Sequence, residues 1–269
     1  MSTGRRIGAA IVVVALVAVG AVLGLRTVLD SLDSVPSGES CSAGGYQLDT
    51  QQAVVASQMV GVVLTRQLPE RAAVLVLMAG LQESKLRNLG AGDGDRDSVG
   101  VLQQRPSQGW GTIQQLSDVH FATGAFLTAL VKVPGWQTMP SADAVQAVQI
   151  SADGNAYAKH EPEAQALSDA FTGAKPAALN CVFPKPTVVA TTAQVAAQIV
   201  ADLPIATPTT SATSISVAGA SWPTAAWFVA NGDRLGVESV AYADRTWTRG
   251  KGWRTTTAGS GAVVATMHQ

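Results

Sequence analysis

The chain has 269 residues, with 18 Lys and Arg against 19 Asp and Glu, so its formal net charge is −1. The cations are scattered and form no basic run, which gives nucleic acid no electrostatic footprint. The length allows one or two domains, each able to bury a core.

Arg5 and Arg6 precede an uncharged run from Ile7 to Leu25, long enough to cross a bilayer as a helix. Arg26 follows, but Asp30, Asp33 and Glu39 come soon after, so the positive-inside bias places residue 1 in the cytoplasm and the rest outside. Residues 1–26 are therefore expected to be a single N-terminal transmembrane helix that anchors the protein in the cell membrane. A cleaved signal peptide is the alternative, and either sends the remainder across the membrane. Residues 27–40, rich in Ser and Asp, read as a stalk.

Cys41 and Cys181 lack CxxC spacing, and in an oxidising compartment they are expected to form one disulfide. They bracket residues 41–181, which read as a mostly helical domain. Asp49 offers an N-cap for an apolar-periodic helix to Gln67. Pro69 and Glu70 suit the first turn of the next helix, which should run to Arg87. Residues 88–98, rich in Gly and Asp, read as a loop. Val99 to Gln104 is a short strand or turn. Thr112 to Val131 reads as one helix, Ser141 caps another, and a last helix covers Ala156 to Phe171, with Pro162 bending or restarting it. Residues 182–190 contain Pro184 and Pro186 and read as a linker. Residues 191–269 form a small α/β module: a helix over Gln194–Leu203, a strand over Thr209–Val217, a helix over Trp222–Leu235, a strand over Val237–Tyr242, and a strand or hairpin over Arg245–Trp253.

The segment Ala72-Ala73-Val74-Leu75-Val76-Leu77-Met78-Ala79 carries no charge and would be a buried helix, and Glu83 stands at its end. A carboxyl in such a setting is what a glycosidic general acid requires. The competing reading makes Glu83 an exposed helix-end residue paired with Lys85 or Arg87. Glu83-Ser84, followed by Ser98-x-Gly100-x-x-Gln103-x-x-Pro106, resembles the first two motifs of soluble lytic transglycosylases and goose-type lysozymes across residues 45–173.

The resemblance implies a lysozyme-like helical fold and a substrate that is the peptidoglycan glycan strand. Glu83 would protonate the glycosidic oxygen and then act as base. In a transglycosylase it would help the sugar's own 6-hydroxyl attack the anomeric carbon. Ser84, Gln103 and Gln104 would contact the carboxyl or the sugars. The families' third motif, Ala-Tyr-Asn, has its nearest counterpart in Ala156-Tyr157-Ala158, with alanine where asparagine would stand. Tyr157 is the substrate-binding candidate there, and Gln149-Ile150-Ser151 is the other candidate for this motif.

A hydrolase commonly needs a second carboxylate. Asp93, Asp95 and Asp97 lie in the loop, with Asp97 nearest the second motif, though Gly/Asp loops make turns by default. The Gly92-to-Asp97 run has a calcium-loop flavour but lacks the downstream glutamate, so neither metal nor cofactor is expected. Trp110 and Trp136 could stack on sugar rings or belong to the core. The pattern from Trp222-Pro223 to Trp247-Thr248 is similar to a small module that closes exported cell-wall proteins of high-GC Gram-positive bacteria. A non-catalytic wall-binding scaffold on the same fold is the second functional expectation. Recruitment of a cell-envelope protein through the C-terminal module is a third.

Overall fold

The computed structural model describes residues 39–151, 153–256, 259 and 261–269. The expected transmembrane helix of residues 1–26 and nearly all of the stalk lie outside the described residues. Among the described residues no helix is long and apolar enough to cross a membrane.

The chain begins with β1 (Ser40–Ala43) and β2 (Tyr46–Leu48), joined through Gly44 and Gly45, both at positive φ. A third strand, β3 (Leu179–Val182), returns to β1, giving a three-stranded antiparallel sheet in the order β2-β1-β3. Cys41 lies opposite Cys181 in that register, and the two form the expected disulfide across 140 residues of chain.

Helix α1 (Thr50–Thr65) starts at a capping box in which the Asp49 side chain accepts from the Gln52 backbone and the Gln52 side chain accepts from Asp49. Helix α2 (Glu70–Ser84) follows Pro69 and is buried continuously from Ala72 to Leu81. A helix apolar all round has to be surrounded. It packs against α1, α4 (Val119–Leu130), α5 (Ser141–Gln149), α6 (Glu161–Thr172) and the 3-10 segment Gly154–His160. Each of its Val, Leu and Met side chains contributes roughly 1.5–3 kcal/mol by that burial. The helix stops because Lys85 turns left-handed and its N–H, with that of Leu86, caps the Leu81 and Gly80 carbonyls.

Two predicted helices are divided. Thr112 to Val131 splits into α3 (Ile113–Leu116) and α4, because Asp118 accepts from the N–H groups of His120 and Phe121 and so starts a new helix. Ala156 to Phe171 splits into the 3-10 segment and α6, with Pro162 in the first turn of the latter.

The C-terminal part comprises α7 (Thr192–Asp202), β4 (Thr209–Thr210), β5 (Ser214–Ala218), α8 (Trp222–Ala230), α9 (Gly232–Leu235), β6 (Val237–Tyr242), β7 (Arg245–Thr248), β8 (Gly252–Thr255) and β9 (Ala262–Met267). Its strands form a six-stranded antiparallel sheet in the order β4-β5-β9-β6-β7-β8. The described residues thus hold nine α-helices and two antiparallel sheets, a mixed α/β architecture.

Residues 39–269 make one compact unit rather than two bodies on a free tether. Helix α8, WPTAAWFVA, is buried from Thr224 to Ala230, and it packs on β6 and β9 as well as on α1 and α6. Residues 182–190 are pinned: the Phe183 N–H donates to the Arg249 carbonyl, Ala190 N–H to Leu235, and the buried Arg249 guanidinium to the Pro184 carbonyl and the Asp233 carboxylate. Gly61 in α1 has the Asp202 carbonyl where a Cβ would be, 2.3 Å from it, so only glycine allows that approach. Trp247 and Trp253 donate to the Cys181 and Leu179 carbonyls at 2.8 and 2.7 Å. Trp227 and Trp247 are core residues, while Trp222 and Trp253 pack edge to face.

Candidate active site

Glu83 stands one residue before the end of α2, half-buried, at the edge of a cleft of about 380 Å³. One wall of the cleft is the second motif with its flanks, Leu102 to Arg105, Gln108 and Trp110. The other is Gln149-Ile150-Ser151 at the end of α5. Glu83 pairs with neither Lys85 nor Arg87. Arg87 instead reaches Asp49, and the only hydrogen bond to the Glu83 side chain among the described residues comes from the Tyr157 hydroxyl to Oε1, at 2.6 Å.

Tyr157 is fully buried on the 3-10 segment. Burial, then the Glu83 carboxylate on its hydroxyl, push the phenol well above the ordinary tyrosine range, so it remains a donor. It holds the Glu83 carboxyl from behind, and Oε2 has no hydrogen-bond partner among the described residues. Tyr157 is thus a positioning residue for Glu83.

Ser84 is also buried. Its hydroxyl donates to the Val101 carbonyl at 2.7 Å and to Gly80 at 3.2 Å, so it ties the second motif to the end of α2. The motif itself is a tight reversal in which Val99 and Gln104 pair as an antiparallel bridge. Gly100 is required there: its φ is 79°, and a Cβ would lie 2.1 Å from the Leu116 carbonyl oxygen. Gln103 lines the cleft with its amide donating to the Gly100 carbonyl at 2.9 Å. Gln104 is buried in the cleft wall, donates to the Ala122 carbonyl at 3.3 Å, and keeps a side-chain oxygen without a partner. That oxygen is shut off from solvent, so Gln104 builds the cleft wall and, against the sequence expectation, presents no group to a sugar.

Asp97 is occupied. It accepts from Arg105 Nε at 2.6 Å and from the Ser107 N–H at 2.9 Å, and these bonds hold its carboxyl far below the usual range. It anchors the loop to the second motif. Asp93 accepts from the Gly90 N–H at 3.0 Å and makes a turn. Among the described residues lining the cleft, Glu83 is the sole carboxylate. Trp110 lines the cleft, whereas Trp136 is buried in the core.

One feature of the site had only a partial signal in the sequence. Eight non-glycine residues have positive φ among the described residues, and three of them line this cleft: Arg96, Gln103 and Ile150. Ile150 is β-branched, sits at φ 51°, and is 81% exposed at the cleft rim. Left-handed backbone at such a residue costs roughly 1–2 kcal/mol, and strain of this kind gathers where function over-determines geometry. Compared with protein-family models and with curated proteins, the chain matches none.

Proposed function

We propose that this is an extracytoplasmic, membrane-anchored enzyme that cleaves peptidoglycan glycan strands on a lysozyme-like fold, with Glu83 as general acid and then base. The observation that carries the reading is the Glu83 carboxyl, held by Tyr157 on one oxygen and unpartnered on the other, at the edge of an open cleft. The Cys41–Cys181 disulfide suits an oxidising compartment. Gln103 supplies a polar group that orients sugars, and Trp110 and Ile150 supply apolar surface for ring faces.

A glycosidase of the common kind uses two carboxylates. With Asp97 committed to Arg105, one remains at the cleft, which favours internal attack by the sugar's 6-hydroxyl over attack by water. Glu83 protonates the leaving oxygen, and the resulting carboxylate takes the 6-hydroxyl proton as that oxygen closes on the anomeric carbon. The product ends in an anhydro sugar. Glu83→Gln should abolish release of muropeptides from sacculi while the fold is kept, and full activity in that variant would refute the assignment.

A non-catalytic wall-binding protein is the second reading. It is favoured by Ala158, which stands where the related families carry asparagine. Tight sacculus binding without turnover distinguishes it.

A further inference from the structure

Trp110 lines two concavities. Beyond the Glu83 cleft, a groove of about 450 Å³ runs from Gly109 and Trp110 along α4, past Phe121, to Arg66 and Lys132. Arg66 Nη1 donates to Thr128 at 2.9 Å, and its guanidinium lies against Gly124, where a Cβ would come within 2.8 Å of Nη2. Gly111 similarly leaves room for the Phe121 ring, which a Cβ would approach to 2.9 Å. Two glycines therefore clear space for the two side chains that shape the groove.

Neither Arg66 nor Lys132 has a carboxylate partner among the described residues, and Lys132 has no side-chain partner there of any kind. His120, also in the groove, turns its Nε2 to the Asp202 carboxylate, 2.9 Å away. The groove thus offers two cations without a carboxylate partner among the described residues, beside exposed aromatic surface. Two cations are too few to track a polyanion but suit isolated carboxylates, which a guanidinium can hold bidentately.

We infer that this groove binds carboxylates carried on peptide branches of the same glycan strand whose glycosidic bond lies at Glu83. The inference rests on the glycan-cleaving reading. Trp110 lines both the cleft and the groove, and on this inference one strand runs over it, with its scissile bond at Glu83 and its peptide branches at Arg66 and Lys132.

The test is steady-state cleavage, by the full chain, of peptide-bearing glycan strands and of the same strands with their carboxylates converted to amides. For the wild type, KM should rise about tenfold on amidation, as losing charge-assisted contacts predicts. Lys132→Gln, and Arg66→Gln with Lys132→Gln, should raise KM for native strands and leave both kcat and the KM for amidated strands unchanged. Lys132→Gln disturbs no bond of the fold, so its result stands even if the Arg66 variant folds poorly. A wild type that cleaves both strands with equal KM, or a Lys132→Gln protein with wild-type KM on native strands, would overturn the inference alone. A wild type that cleaves neither strand would overturn the glycan reading and the inference with it.

Discussion

The Glu83 carboxyl has one oxygen tied to a buried phenol and one left over. Tyr157→Phe removes that tether without changing shape. A hydrogen bond to a charged group contributes roughly 1.5–3 kcal/mol, so kcat should fall about tenfold or more with KM nearly unchanged, while the melting temperature falls modestly. Ile150 makes a second test at this scale. Being exposed, it gives up little packing on truncation, so Ile150→Gly should relieve the left-handed strain and stabilise the fold by about 1 kcal/mol. The same change should raise KM, because the cleft loses an apolar contact. Denaturant titration and kinetics on the same preparation check both signs.

The second motif shows how elements collect these residues. Ser84 binds Val101, Gln149 binds the Leu102 carbonyl at 3.1 Å, and Asp97 binds Arg105, so three elements converge on one reversal. The sequence carried much of this. The apolar run of α2, the cap at Asp49 and the Ser98-to-Pro106 spacing are local signals, and each sits where its chemistry predicts. The break before α4 was legible too, since Asp118 can cap and Thr112 with Gln115 forms a capping box. Strand β9 alternates buried and half-buried positions over its length and is central to its sheet, but its residues, Ala-Val-Val-Ala-Thr-Met, carry no alternation of polarity that would announce it. Strands β1 and β3, at four residues each, are too short to declare themselves and exist through their pairing with each other. The role of Tyr157 required knowing that a residue 74 positions away meets Glu83, which no local pattern encodes. The disulfide carries the element-scale prediction. Replacing Cys41 and Cys181 by serine frees a loop closed over 140 residues. Chain entropy then predicts a loss of about 5 kcal/mol, read as an early unfolding midpoint that reductant reproduces in the wild type.

At the scale of the molecule, the helical part and the six-stranded sheet share α8 and meet at a polar clasp. His120 of α4 lies 2.9 Å from the buried Asp202 at the end of α7, and Trp227 donates to the other Asp202 oxygen at 2.7 Å. Asp202, and to a lesser degree Asp118, raises the His120 pKa above its ordinary value against the opposing effect of burial. A raised imidazole pKa stabilises the fold fully below the free value of about 6.5, and that contribution is lost as pH climbs through the folded value. His120→Gln should therefore cost more stability near about pH 5.5 than near about pH 9, where wild type and variant converge. Equal melting-temperature differences at both pH values would contradict the clasp.

The most direct measurement is the end group of the fragments that Glu83 is proposed to release from the cell wall. Mass spectrometry of soluble products from digested sacculi reads this directly, because an anhydro end is lighter than a hydrolysed end by one water. The wild type is expected to release anhydro-ended fragments and Glu83→Gln none. Hydrolysed ends would contradict the single-carboxylate mechanism, and undiminished release by Glu83→Gln would contradict the site itself.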